Sequence, residues 1–208
     1  MAAVRNPIRT KAKILQQSTR LFARSGYDGT STNDIVSATQ VNKRMIYHYF
    51  ENKRGLYRAV FRNQWAGLKE WLDGAPGHRL QSPTDLRVVL RESLELLFDY
   101  FARNQIFVRL LLWEGLEGGA IARSIWKEVR GPLFVQWESL VKRAQREGLL
   151  DRRIDPAQLI VTFLGAIIYY FAYASSISDM LGKAALTPAA MDARKKHLVL
   201  LLDRLLRP

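Results

Sequence analysis

Apolar residues recur at helical spacing almost from end to end of this chain, and the runs start and stop on residues that cap or break helices. Alternation of the kind a half-buried strand needs is nearly absent, so the reading is an all-α fold. The 208 residues suffice for one or two domains with a substantial core. With 48% apolar residues, 13 Gly and 7 Pro, the chain is neither disordered nor collagen-like. With no Cys it can hold neither a disulfide framework nor a thiolate-bound zinc.

Asn6-Pro7 opens a first helix whose apolar row is Ile14, Leu15, Leu21 and Phe22, and Gly26 stands where a left-handed C-terminal cap is useful. Ser31, Thr32, Asn33 and Asp34 offer an N-cap to a short helix containing Ile35, Val36 and Ala38. Asn42 offers another, to a second short helix running through Tyr47 and His48. A long helix opens at Glu51-Asn52, carries Leu56, Val60, Phe61, Trp65, Leu68 and Leu72, and ends near Asp73-Gly74; Gly74 to Gln81 reads as a loop.

Ser82-Pro83-Thr84-Asp85 predicts an N-cap at Ser82, proline at the first helical position and an acid in the first turn, with the helix running to about Ala102. Further helices are expected over Asn104 to Leu116 and over Ala120 to Glu147, the latter interrupted at Gly131-Pro132 and stopped at Gly148. Asp155-Pro156 starts an apolar helix. Thr187-Pro188 starts the last, with Leu198, Leu201, Leu202, Leu205 and Leu206 spaced for one buried face. The longest apolar stretch, Leu159 to Ala174, is 16 residues with Thr162 inside it, short of the ~18 a spanning helix needs. It reads as a helix buried in protein. Nothing at the start resembles a secretory signal, so the expected location is the cytoplasm and no membrane partner is expected.

The charge is unevenly spread. Of 32 Lys/Arg and 19 Asp/Glu, residues 1–62 hold 12 and 3, a net +9 of the total +13. A basic module of two short helices joined by a tight turn, behind a basic first helix, can present its second helix to the major groove of DNA. In VNKRMIYHYFENK, Val41, Ile46 and Phe50 can pack inward. Asn42, Lys43, Arg44, Met45, Tyr47, His48, Tyr49 and Lys53 then supply groove and backbone contacts, because cations neutralise phosphates while amides and hydroxyls fix register.

These residues carry a resemblance. Residues 8–56 resemble the N-terminal domain of the TetR family of bacterial transcriptional regulators, through "LFARSGYDGTS", the Thr30/Ser31 helix start, Ile35, Val41 in the turn, "IYHYF" and "NKRGLY". The resemblance implies an N-terminal three-helix helix-turn-helix DNA-binding domain and a larger C-terminal helical ligand-binding and dimerisation domain. The division drawn from it is 1–52, with helix four (52–73) as connector, and 53–208. It implies that Thr30 and Thr32 approach the DNA backbone, that Lys43, Tyr47, His48 and Lys53 contact phosphates, and that Met45 lies near base edges. Tyr47 could also serve the core, His48 could be an ordinary exposed residue, and Lys11 and Lys13 read as a solvated face. Family members usually carry glycine where this chain has Gln40, and often a small residue where it has Arg44. An arginine there could read guanine through O6 and N7, so Arg44 and Lys43 are the expected base readers.

The resemblance also implies an effector pocket among the middle helices and a dimer built on the final two. Polar candidates for the pocket are Arg109, Glu114 and Glu117, beside the apolar run at 110–113, with Trp113, Phe134, Trp137 and Tyr169 as walls. Glu114 could instead pair with a basic neighbour. The leading expectation is a repressor that binds an inverted-repeat, double-stranded operator as a homodimer and is released by an unknown small molecule. An activator or an effector-independent regulator is the alternative. No cofactor, metal site or catalytic residue is expected, because His48, His78 and His197 are dispersed and no nucleophile or phosphate-cradling motif is present.

Overall fold

The computed structural model describes residues 7–73, 85–125 and 131–206. Among them are eleven helices and no strand: α1 Pro7–Ser25, α2 Thr32–Thr39, α3 Lys43–Phe50, α4 Lys53–Asp73, α5 Leu86–Arg103, α6 Gln105–Leu116, α7 Ala120–Ile125, α8 Gly131–Arg146, α9 Pro156–Ala172, α10 Ala174–Leu181 and α11 Pro188–Leu205. They form two compact units. One comprises Met1–Ala66 with Arg109–Arg130, the other Gly67–Val108 with Gly131–Pro208. The first unit thus does not stop at residue 52. It keeps most of α4 and adds the end of α6 and all of α7.

In the first unit, Ile14 and Phe22 of α1, Ile35 of α2, Ile46 and Phe50 of α3, and Leu56, Tyr57, Val60 and Phe61 of α4 form the core. The expected row on α1 is divided, with Leu15 and Leu21 only half-buried. Tyr57 lies edge-on to Phe22 and Phe61, at centroid distances of 4.8 and 5.1 Å, a geometry that suits ring quadrupoles. Val41, expected to pack inward, is half-buried.

The second unit is built from α5, α8, α9, α10 and α11. Phe98 and Phe101 of α5, Ile167, Tyr170 and Phe171 of α9, and Leu198 and Leu202 of α11 are buried in it. Asp155 and Thr187 cap α9 and α11, accepting from the N–H groups of Gln158 and Ala190, with proline following each cap. Helix α5 starts differently from the expectation. Asp85 is its N-cap rather than a first-turn acid, and its carboxylate accepts from Arg87 N at 2.9 Å. Asn6, Ser82, Pro83 and Thr84 lie outside the described residues, as does the whole loop expected from Gly74 to Gln81.

Two other expectations are corrected. The apolar stretch to Ala174 is not one helix: α9 closes at Tyr173, whose N–H donates to Tyr169 O, and α10 leaves at 86°. The apolar period continues across this bend, and neither glycine nor proline marks it. The final leucines do not share one buried face. Leu198, Leu202 and Leu206 are buried, whereas Leu200, Leu201 and Leu205 are 50, 44 and 38% exposed. Among the described residues no single helix is long and apolar enough to cross a membrane.

Candidate nucleic-acid interface

Local chemistry sets the frame of the helix-turn-helix. Gly26 ends α1 at φ 70°. Ser31 and Asp34 form a capping box at the start of α2: the Ser31 hydroxyl accepts from Asp34 N at 3.1 Å, and the Asp34 carboxylate accepts from Ser31 N at 2.7 Å. Hydrogen bonds from the Ser31 hydroxyl, and next from its backbone N–H, hold the Asp34 carboxyl below its ordinary range.

The turn between α2 and α3 needs a left-handed residue, and Gln40 supplies it at φ 54°, ψ 28°. Glutamine takes this conformation less readily than glycine. Here its side-chain amide donates to Ser37 O at 2.7 Å, a bond glycine could not make. Asn42 then caps α3, its Oδ1 accepting from Arg44 N at 2.9 Å.

At the far end of α3, Glu51 sits at φ 64°, ψ −52° and Asn52 N donates to Phe50 O at 2.7 Å, a γ-turn of the rarer, strained hand. Asn52 caps α4 through Gly55 N at 2.8 Å. The approach at Gly55 is so close that a Cβ there would stand 2.1 Å from Phe50 O. Glycine is required at this position for space, not for its dihedral freedom.

With Ile46 and Phe50 buried, α3 turns Lys43, Arg44, Tyr47 and His48 outward; these four are exposed, Asn42 beside them is too, and Met45 and Tyr49 are half-buried. Positions 43 and 47, and 44 and 48, are each one helical turn apart, so the four make a continuous face. Tyr47 is thus a surface residue, at 40% exposure. The His48 and Tyr49 rings meet edge-on at 5.2 Å. Lys53 lies with its ammonium 4.1 Å from the centre of the Tyr27 ring, and Lys11, expected to be merely solvated, lies 5.9 Å from that of Phe50.

Thr32, the first residue of α2, is half-buried. Thr30 departs from the expectation. It is 2% exposed, and its hydroxyl donates inward to Gly26 O at 2.8 Å, tying off the end of α1 instead of facing DNA.

Residues expected to line an effector pocket instead hold this unit together. Arg109 Nε donates to Ala23 O at 2.9 Å, satisfying a carbonyl at the end of α1. Glu117 Oε1 accepts from Tyr27 N at 2.7 Å, and its other oxygen lies 3.5 Å from the Tyr57 hydroxyl. Burial first, then the Glu117 and Glu114 carboxylates, push the Tyr57 phenol well above its ordinary pKa. Trp113 and Glu117 close over Gly26, where a Cβ would come within 2.7 and 2.6 Å of them. Glu114 is 3% exposed, and its Oε1 accepts from Ile121 N at 2.7 Å.

Three of the six proposed pocket residues line cavities among the described residues, each a different one. Glu114 lines a polar cavity of about 210 Å³ in the first unit. Trp137 lines an apolar one of about 80 Å³ in the second, and Tyr169 a third of about 430 Å³ in the same unit. Arg109, Trp113 and Phe134 line none of these three. Glu117, Arg109 and Gly26 come together only through folding, because α6 lies some 90 residues from the turn it supports.

Comparison with known proteins identifies the family. Residues 14–60 match the family described as bacterial regulatory proteins, tetR family, and residues 87–201 match that described as tetracyclin repressor-like, C-terminal domain. The HTH-type transcriptional repressor SCO4008 of Streptomyces coelicolor is 29% identical over 204 residues, covering 97% of this chain and 100% of that protein. The HTH-type transcriptional repressor NicS of Pseudomonas putida is 27% identical over 203 residues, covering 96% and 92%. Among solved structures, AibR in complex with isovaleryl coenzyme A and operator DNA superposes with a TM-score of 0.71 at 19% identity, covering 92% of this chain and 97% of that one. PfmR from Thermus thermophilus, a TetR family transcriptional regulator, does so at 0.68 and 21%, covering 91% and 96%. At these identities the two structures speak for the fold alone. The family matches take in the helix-turn-helix and more than half of the chain beyond it, and on them the chain belongs to the TetR family of bacterial transcriptional regulators and is not an enzyme.

Proposed function

We propose that the protein is a cytoplasmic repressor that binds an inverted-repeat operator as a homodimer and leaves it when a small molecule binds. The observation that carries the DNA-binding part is the outward face of Lys43, Arg44, Tyr47 and His48 on a helix whose opposite side is buried. Arg44 and Lys43 read bases; Tyr47, His48 and Lys53 hold phosphates; Asn42, Thr32 and Tyr49 flank the contact, and Met45 lies beside the base edges. Thr30 has no part in it.

Dimerisation is supported by apolar side chains left outside the core. Val161, Tyr169 and Tyr173 on and just after α9 are 53, 51 and 51% exposed, and Leu200, Leu201 and Leu205 lie exposed on α11. A symmetric pairing of these faces would cover them and place two α3 helices on successive major-groove faces. That relatives over nearly the whole chain are named HTH-type transcriptional repressors favours repression.

The test is selection of bound duplexes from random DNA, followed by mobility shifts over a salt series. An inverted repeat whose affinity falls steeply with salt is expected. The absence of any enriched palindrome would refute the reading.

A further inference from the structure

Within the second unit, α5, α8, α9 and α11 line a partly open cavity of about 80 Å³. Among the described residues no ionisable side chain lines it, and only Ser93 and Trp137 of that lining carry a polar side-chain atom. The Ser93 hydroxyl is already engaged, donating to Val89 O at 2.7 Å within its own helix. Ser93 also explains the space. It lies between Leu90 and Leu97 on the face of α5 that lines the cavity, in a row otherwise made of leucine, and its short side chain leaves the gap. Leu150 and Leu206 both line the cavity and pair backbone to backbone, which ties the segment after α8 to the end of α11.

We propose that this cavity is the effector site and that it takes a small, uncharged, hydrocarbon-like molecule. The effector role rests on the repressor reading above; the ligand site stands on the cavity. A charged ligand would lose its hydration here and find no partner. An apolar molecule gains dispersion contacts from walls that lack them on one side. An apolar cavity of about 150 Å³ stays dry and accepts benzene. The space here is about half as large, so the occupant is no larger than one small ring unless neighbouring side chains yield. Occupancy weakens operator binding to the extent that the ligand binds the DNA-free state more tightly.

The experiment titrates the full chain with benzene and cyclopentane, and with benzoate and benzylammonium as charged counterparts. Melting temperature and operator mobility shift are followed together. A saturable rise in Tm is expected with the neutral probes alone, with operator affinity about tenfold weaker at saturation. Ser93→Ala keeps the response, because the hydroxyl takes no part in it. Ser93→Leu fills the space, raises the Tm of the free protein and abolishes the response while retaining operator binding. If leucine overpacks the site, Ser93→Val makes the same test with a smaller fill.

No saturable shift with either neutral probe, an equal shift with benzoate, or an undiminished response in a well-folded filled variant overturns the site. A neutral-probe Tm shift that leaves operator binding unaltered overturns the effector role. Failure to bind any inverted repeat in the absence of probes counts against the repressor reading instead, and the Tm arm still decides the ligand site.

Discussion

The backbone N–H of Tyr27 donates to the Glu117 carboxylate at 2.7 Å, so an acid from the end of α6 holds the turn that precedes α2. The same turn is pressed between Gly26 and Trp113, and Arg109 holds the carbonyl of Ala23 just before it. Glu117→Ala leaves the Tyr27 N–H without its charged acceptor and is expected to cost about 1–3 kcal/mol. That loss is measured as a lower midpoint in urea unfolding, with weaker operator binding. Glu117→Gln retains a carbonyl acceptor and should recover most of both. Equal effects of the two substitutions would mean that the hydrogen bond is not what matters.

Arg44 projects from the exposed face of α3 while its own backbone N–H is held by Asn42. Arg44→Ala is expected to weaken binding to the selected operator by about 1–3 kcal/mol, with a much smaller loss on random duplex. Equal losses on both would make Arg44 a phosphate contact.

Gly55 faces the carbonyl of Phe50 too closely to accept a side chain. Gly55→Ala should therefore disrupt the α3–α4 junction and destabilise the protein by about 1–3 kcal/mol, despite alanine's higher helix propensity. Thermal unfolding decides this: an unchanged or higher Tm would show that the junction relaxes freely.

The depressed pKa of Asp34 has a definite sign in acid. Its carboxyl titrates below the unfolded value, near 3.8, so its stabilising contribution is complete above that pH and is lost as pH falls through the folded value. Asp34→Asn should remove this part of the acid limb of the stability curve. A midpoint-against-pH curve between pH 2 and 6 that keeps its slope in the variant would assign the acid sensitivity to other groups.

Leu201 is 44% exposed on α11, at the edge of the face that buries Leu198 and Leu202. Leu201→Glu should leave the fold intact while opposing dimer formation through two like charges brought face to face. Sedimentation velocity is expected to show monomers at micromolar concentration, with operator affinity falling in parallel. A variant that remains dimeric would place the interface elsewhere.

Helix ends were legible in the sequence because capping is local. Ser31 and Asp34, Asn42, Asp155 and Thr187 each satisfy backbone donors within four residues of themselves, so residue type and spacing are enough to find them. The outward face of α3 was legible for the same reason, since the burial of Ile46 and Phe50 fixes where Lys43, Arg44, Tyr47 and His48 point.

Other features depended on partners far along the chain. Thr30 has the hydroxyl that a phosphate contact would use, and only the packed turn aims it at Gly26 O. Arg109 and Glu117 look like pocket residues until folding brings them to Ala23 and Tyr27. The bend into α10 interrupts an apolar pattern that itself shows no break, and the cavity beside Ser93 exists because four helices meet there around one short side chain. The capped starts of α2, α3, α9 and α11 and the outward face of α3 came from sequence alone, because they answer to neighbours within a turn or two. Which polar group meets which, and where space is left over, came from tertiary packing, because those depend on residues that only the folded chain brings into contact.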